Sequence, residues 1–320
     1  MKRNRFLRVL SKFVGLVALY YPVATFGQTS PQPALGYAQV ANGQFSSNLF
    51  YVTSLNVFNP NDSMIQVNVY DSDAENPGSD MGLGFSTNCN VDAGNGAVTV
   101  PAHSTCLLVS DGGGSGNPNP GIKVGWLMVY ETTGSYDIGG YLAYTLNQGS
   151  YTNATPIFIA GVSPTPVSPQ FAISIYCDAP SAQDVGLALA NVFSDGPVTM
   201  QAQLVNSEGS IVDQNTITIP SLGHISIFVS QIFPDTLANA QAFVGTVLMS
   251  AVNAGDAVIA AALIQQGSLY GGAPPTIVAV QNSNSAAATA KAYRGSAFSR
   301  LAMARIRTID KLSSPISGSK

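Results

Sequence analysis

Two histidines, three cysteines and a short acidic run hold most of the chemistry this sequence could support. His103 and His224 are the only imidazoles. A serine hydrolase would have to use one of them as general base, with Ser104 or Ser226 beside it. Both histidines follow a short strand pattern ending in proline, Val98-Thr-Val-Pro101 and Ile217-Thr-Ile-Pro220. A common place in one recurring turn explains both as turn donors or exposed caps. Catalysis explains neither the recurrence nor the missing acid partner. Asp71-Ser-Asp-Ala-Glu75 sets oxygen ligands at alternate positions, as a calcium loop does. Asn76 stands where such a loop needs glycine and Gly82 where it needs a bidentate glutamate, so a plain turn is expected. The glycine-rich stretch from Gly112 to Gly121 contains two prolines, which lack the N–H groups of a phosphate cradle, and it reads as a surface loop. No catalytic residue, metal ligand or cofactor is expected from this set.

The cysteines are Cys89, Cys106 and Cys177. Cys89 and Cys106 bracket a Gly/Asn/Asp-rich excursion, and closing it would contribute roughly 3 kcal/mol in the chain-entropy model. A Cys89–Cys106 disulfide is therefore expected. Cys177 then serves either as a small buried hydrophobe or as a covalent link to another chain. Aromatic residues offer the one candidate binding surface. Trp126, Met128 and Tyr130 fall on one face of a strand, and Tyr141 and Tyr144 follow on the next. If that face is exposed, Trp126, Tyr130, Tyr141 and Tyr144 would suit stacking on sugars or contact with a protein. If it is internal, Trp126 is a core residue.

These residues sit in a chain of 320 residues with only 9% charged side chains and 46% hydrophobic ones, which rules out charge-driven disorder. Between Gln28 and Ala290 Lys123 is the only basic residue against 16 acidic ones, a net of −15. Such a body has no footprint for nucleic acid. The remaining cations lie at the ends. A basic start followed by the short apolar run Phe13–Phe26 reads as a secretory signal peptide over 1–27. No later stretch is long enough to span a bilayer as a helix. The tail 282–320 is Ala/Ser-rich and basic. It is either solvated and partly helical, or it docks on the acidic body of a neighbouring copy or on an anionic envelope surface.

The positioning elements are strands. Ile65, Val67 and Val69 alternate with polar residues, and so do Met200, Ala202 and Leu204. Turn-rich clusters recur about every ten residues. Two blocks, 34–160 and 170–281, flank the proline-bearing segment 161–169, which is expected to be an extended linker. Val124-Gly-Trp-Leu-Met-Val-Tyr130 matches Val244-Gly-Thr-Val-Leu-Met-Ser250, and Leu55-Asn-Val-Phe-Asn59 parallels Leu187-Ala-Leu-Ala-Asn191. The expected fold is all-β, two tandem antiparallel β-sandwich domains of immunoglobulin-like type related by internal duplication.

The second block, with its Leu187-Ala-Leu-Ala-Asn191 strand, its Thr218-Ile-Pro-Ser-Leu-Gly-His224 turn and Phe243-Val-Gly245, resembles a repeated β-sandwich module of exported bacterial surface proteins of acidobacterial type. The resemblance implies a surface or matrix module without catalytic residues. The expected function is accordingly an exported, non-enzymatic structural or adhesive role. The alternative is carbohydrate binding through the aromatic-rich face of the first block. Expected partners are cell-envelope or extracellular polysaccharide or protein, and self-association through the basic tail.

Overall fold

The computed structural model describes residues 31–46, 48–112, 121–150, 153–267, 269–273, 276–277 and 306–308. The expected leader, and the tail apart from 306–308, lie outside them. Strand accounts for 61% and helix for 5%, and the sheets are built from antiparallel pairs, as the period-2 alternation requires.

In the first half the strands are β1 (Ala34–Ser46), β2 (Leu49–Phe58), β3 (Ile65–Asp73), β4 (Phe85–Thr87), β5 (Asn90–Val91), β6 (Val98–Val100), β7 (Thr105–Val109), β8 (Ile122–Glu131), β9 (Gly139–Ser150) and β10 (Asn153–Val162). One row of pairing runs β6-β3-β8-β1 and a second runs β7-β2-β9-β10. Strand β1 joins the rows, pairing with β8 along Ala34–Gly43 and with β2 from Gly43 onward. The crossing needs glycine. Gly43 has φ +106, and a Cβ there would lie 2.2 Å from the Gly121 carbonyl oxygen.

The second half contains β11 (Gln170–Cys177), β12 (Gln183–Ala190), β13 (Val198–Asn206), β14 (Ile211–Ile219), β15 (His224–Phe228), β16 (Phe243–Ala251), β17 (Ile259–Gln266), β18 (Leu269–Ala273) and β19 (Thr276–Ile277). Its two sheets run β14-β13-β16-β11-β19 and β15-β12-β17-β18. Two short helices, Val229–Ile232 and Pro234–Leu237, close one end and bury Ile232 and Leu237.

The paired segments Leu187–Ala190 of β12 and Ile259–Ala262 of β17 are buried on both faces. Leu187, Leu189, Ala260 and Ala262 point into the core of the second half. Ala188, Ala190, Ile259 and Ala261 point the other way and join the core of the first. The Leu-Ala-Leu-Ala run is thus a strand between two hydrophobic layers, with its small side chains toward the partner half. The segment 161–169 departs from the expected free linker. Thr165 donates its N–H to the Gly36 carbonyl at 2.8 Å and its hydroxyl to the Ala260 carbonyl at 2.9 Å, while Ser168 N–H bonds the Val258 carbonyl. Thr165, Val167 and Ser168 are buried. The prolines donate nothing, but the residues between them do, and buried backbone groups must be paired.

Cys89 and Cys106 form the expected disulfide. It ties the β4–β5 connection to β7, which pairs with β4. On the outer edge of β4 lies one further strand, β20 (Ile306–Thr308), running parallel with Ile306 beside Phe85 and Thr308 beside Thr87. Among the described residues no helix is long and apolar enough to cross a membrane.

Candidate functional site

Trp126, Met128 and Tyr130 do share a face of β8, together with Gly36 on β1 and Ser72 on β3. That face is not open. The second half covers it, and Trp126 is 0% exposed. Its indole N–H donates to the Leu222 carbonyl at 2.9 Å, and the Ser72 hydroxyl donates to the same oxygen at 2.9 Å. Leu222 takes φ +54 in the turn before β15 and seats its side chain in the first half's core. Gly36 leaves room for Ile259, whose Cγ2 would be 2.8 Å from a Cβ at that position. The stacking platform expected from Trp126 is corrected here: the face is an internal docking surface, because burying the indole with its N–H paired removes apolar area from water without an unmet donor.

The other three aromatic candidates are not gathered with it. Tyr144 is buried on β9 between Tyr51 and Phe158, at ring-centroid distances of 6.1 and 6.2 Å. Tyr130 is half-buried. Tyr141 is 42% exposed, on the outer face of β9 beside Asn56 of β2.

The histidines also part company. His103 sits at φ +53 in its turn, exposed, with Nε2 2.9 Å from Asp62 Oδ1. By backbone pairing its position corresponds to Leu222, since Ser104 and Gly223 each bond back to the proline carbonyl and pass a carbonyl to the buried Asn59 or Asn191. His224 lies two residues later, at the start of β15, and is buried against the first half. The expectation of one shared turn position is therefore corrected. His224 Nε2 is 3.1 Å from Gln39 Oε1, and the Ser226 hydroxyl donates to that same oxygen at 2.8 Å. The Ser226 hydroxyl also lies 3.4 Å from His224 Nε2, so the imidazole, the hydroxyl and the Gln39 amide oxygen form one cluster. Burial pushes the His224 pKa down to about 4, opposed only weakly by a hydrogen bond with the Ala38 backbone.

The acidic run is structural in its contacts. Asp71 is buried, its Oδ1 accepting the Met81 N–H and its Oδ2 without a hydrogen-bond donor among the described residues. Burial first, then the neighbouring Asp80, push its pKa well above the carboxylate range. Asp73, 3% exposed, pairs with Lys123, so the lone body cation neutralises a buried carboxylate. Among the described residues no group of three His, Cys, Asp or Glu gathers where it could hold a metal ion. The expected loop 113–120 lies outside them. Cys177 is buried and unbridged. It lines a cavity of about 180 Å³ with Asp184, Ser230 and Gln265. Its thiol donates to Asp184 Oδ1 at 3.5 Å, and burial with that carboxylate pushes its pKa up to about 12. A thiol held protonated is a poor nucleophile.

Sequence reasoning missed two uncharged outward sheet faces. Across β14, β13, β16 and β11 the outward rows are Thr216-Gln201-Ser250-Gln170 and Gln214-Gln203-Leu248-Ala172, and beside them Val205-Thr246-Ser174. None is charged, because Asp213, the one acid on these strands, lies in register with inward Leu204 and accepts from Thr236. The outer face of β7-β2-β9 carries Leu107, Asn56 and Tyr141 in one row and Val109, Ser54 and Ala143 in another, again without charge. The signal that could have found them was the alternation of uncharged polar residues on β13 and β16. No protein-family model, curated protein or solved structure matches the chain.

Proposed function

We propose that this is an exported, non-enzymatic surface or matrix protein with a structural or adhesive role. Its body is read as two immunoglobulin-like β-sandwich modules that arose by duplication. Support for the duplication comes from pairing order: β6-β3-β8-β1 and β7-β2-β9-β10 in one half have the same connectivity as β14-β13-β16-β11 and β15-β12-β17-β18 in the other. The buried Asn59 and Asn191, whose amides donate to the Pro101 and Pro220 carbonyls respectively, occupy equivalent corners.

One observation carries the functional reading. The outer face of β14-β13-β16-β11 carries Gln, Thr and Ser and no charged side chain, a surface suited to contact with uncharged partners. The test is fractionation of the source cells with an antibody to the body. The protein is expected outside the cytoplasm with its leader removed, and a deletion strain is expected to lose surface or matrix cohesion. A cytoplasmic protein that keeps its leader would overturn the proposal. Of the four aromatic candidates only Tyr141, beside Asn56, is exposed, and carbohydrate binding would rest on it. A glycan array in which Tyr141→Ala abolishes a signal would favour that reading instead.

A further inference from the structure

Strand β3 ends on three consecutive residues that fasten the connection 74–84 from both sides. Asp73 accepts the Glu75 N–H through Oδ1 at 2.9 Å and pairs with Lys123 of β8 through Oδ2. Ser72 turns the other way, toward the junction between the halves. Its Oγ accepts the Gly78 N–H at 2.8 Å, while its hydroxyl donates to the Leu222 carbonyl, the oxygen that also takes the Trp126 indole N–H. Gly78 lies against Leu222 itself, since a Cβ there would be 3.1 Å from Leu222 Cδ1. Asp71 faces inward, and its Oδ1 accepts the Met81 N–H at 2.9 Å. Met81 and Leu83 are buried in the first half's core.

The second Asp71 oxygen stands apart. The residue is 0% exposed, and Oδ2 receives no donor among the described residues. What stands within hydrogen-bonding reach of this carboxyl is another one, that of Asp80. Asp80 is half-buried and commits Oδ1 to the Gly82 N–H at 2.6 Å. Two ionised carboxylates so placed repel, and the more so when one of them is cut off from water. A single proton between them replaces the repulsion by a charge-assisted O–H···O⁻ hydrogen bond. An oxygen that accepts nothing is then accounted for, because it donates. The neighbouring charges do not relieve the pair otherwise. Asp73 adds to the repulsion and has already taken Lys123. Asp111, whose N–H bonds the Leu83 carbonyl, lies against Gly84 and accepts from Asn42, and Glu75 is exposed. Burial first and Asp80 second favour the protonated form of Asp71.

We propose that Asp71 and Asp80 share one proton, and that this proton is a clasp: it holds the connection 74–84 against the junction of the two halves and releases it as the pH rises. When the connection is closed, Asp71 keeps its proton to a higher pH than an ordinary aspartate, which loses it near about 4. The clasp is therefore complete in acid and is lost as the pH climbs from that value to Asp71's own, the opposite sense to His224. Since Gly78, Ser72 and Leu222 are joined, release at Asp80 also loosens the seat of Trp126.

The test is hydrogen exchange of the Gly78 and Met81 amides in the chain from Gln28 to Lys320, read against the β13 amides of the same molecule from acid to mildly alkaline pH. Emission of Trp126, the only tryptophan, is followed alongside. Relative exchange is expected to rise about tenfold per pH unit between the ordinary aspartate value and Asp71's own and then to level off, with emission moving to the red. Asp71→Asn supplies an amide that accepts from Met81 and donates to Asp80 without titrating, so it is expected to stay closed throughout. Asp80→Asn, at a half-buried position, carries the test where Asp71→Asn fails to fold, and is expected to cut the total rise at least about tenfold. Relative exchange that is flat with pH in the wild type would overturn the proposal, as would either variant rising as the wild type does. A wild-type rise abolished by millimolar calcium would make the pair a cation site and overturn it too.

Discussion

His224 and Tyr37 show how burial alone tunes single residues in this protein. With a folded pKa near 4 against an ordinary value near 6.5, His224 remains neutral in the native state while the unfolded chain takes up a proton. Stability from this residue is complete above pH 6.5 and is lost as pH falls toward 4, by about 3 kcal/mol if no other group compensates. Urea titrations at a series of pH values should show a steeper loss between pH 6.5 and 4 for the wild type than for His224→Gln. Equal slopes would mean the imidazole is hydrated. Tyr37 is fully buried, its hydroxyl has no hydrogen-bond partner among the described residues, and burial raises its pKa. Tyr37→Phe removes an unmet polar group without changing ring packing, so it should stabilise by about 1 kcal/mol. A loss of that size in a thermal melt would reveal a partner for the hydroxyl. The His224 environment could not be read from sequence, because Gln39 approaches from the opposite half of the chain.

At the scale of strands much was legible, and the limits have a plain cause. Alternation marks Ile65–Val69 and Met200–Leu204 as half-buried strands, and both are. Alternation also marks Leu187–Ala190, but Leu and Ala are both apolar, so the pattern does not say that each face meets a different core. Likewise Trp126, Met128 and Tyr130 share a face by geometry, whereas its being covered depends on a turn 96 residues away. Strand β1 is the element most exposed to a single change. At Gly43 it leaves one row of strands for the other with φ +106, and any side chain meets the Gly121 carbonyl. Gly43→Ala should cost more than about 2 kcal/mol, measured as a fall in the denaturant midpoint with unchanged slope. A cost below about half that would mean the crossing relaxes freely.

For the molecule as a whole, sequence argued for two beads on a linker, while the packing argues for one cooperative body. The first half's core includes Ala188, Ala190, Val192, Leu222, Ala257, Ile259 and Ala261 from the second. The segment between them is hydrogen-bonded to both. Calorimetry should therefore show a single transition whose van't Hoff and calorimetric enthalpies agree. Residues 170–281 expressed alone should be unstable or aggregate, having exposed an alanine face that belongs to a core. Two resolved transitions, or a fragment that melts like the parent, would show the halves to be independent. The polarity of the chain belongs to this scale too. The body of net −15 has its only cation, Lys123, committed to Asp73.

The strand Ile306–Thr308 beside β4 has a consequence in time. It is made after both halves, yet it pairs with the edge of a sheet whose other strands belong to the first half. That edge of β4 lacks this partner until Ile306–Thr308 has emerged. Until then that edge is open to any extended segment nearby. A chain stopped short of residue 306 would leave β4 without its parallel neighbour.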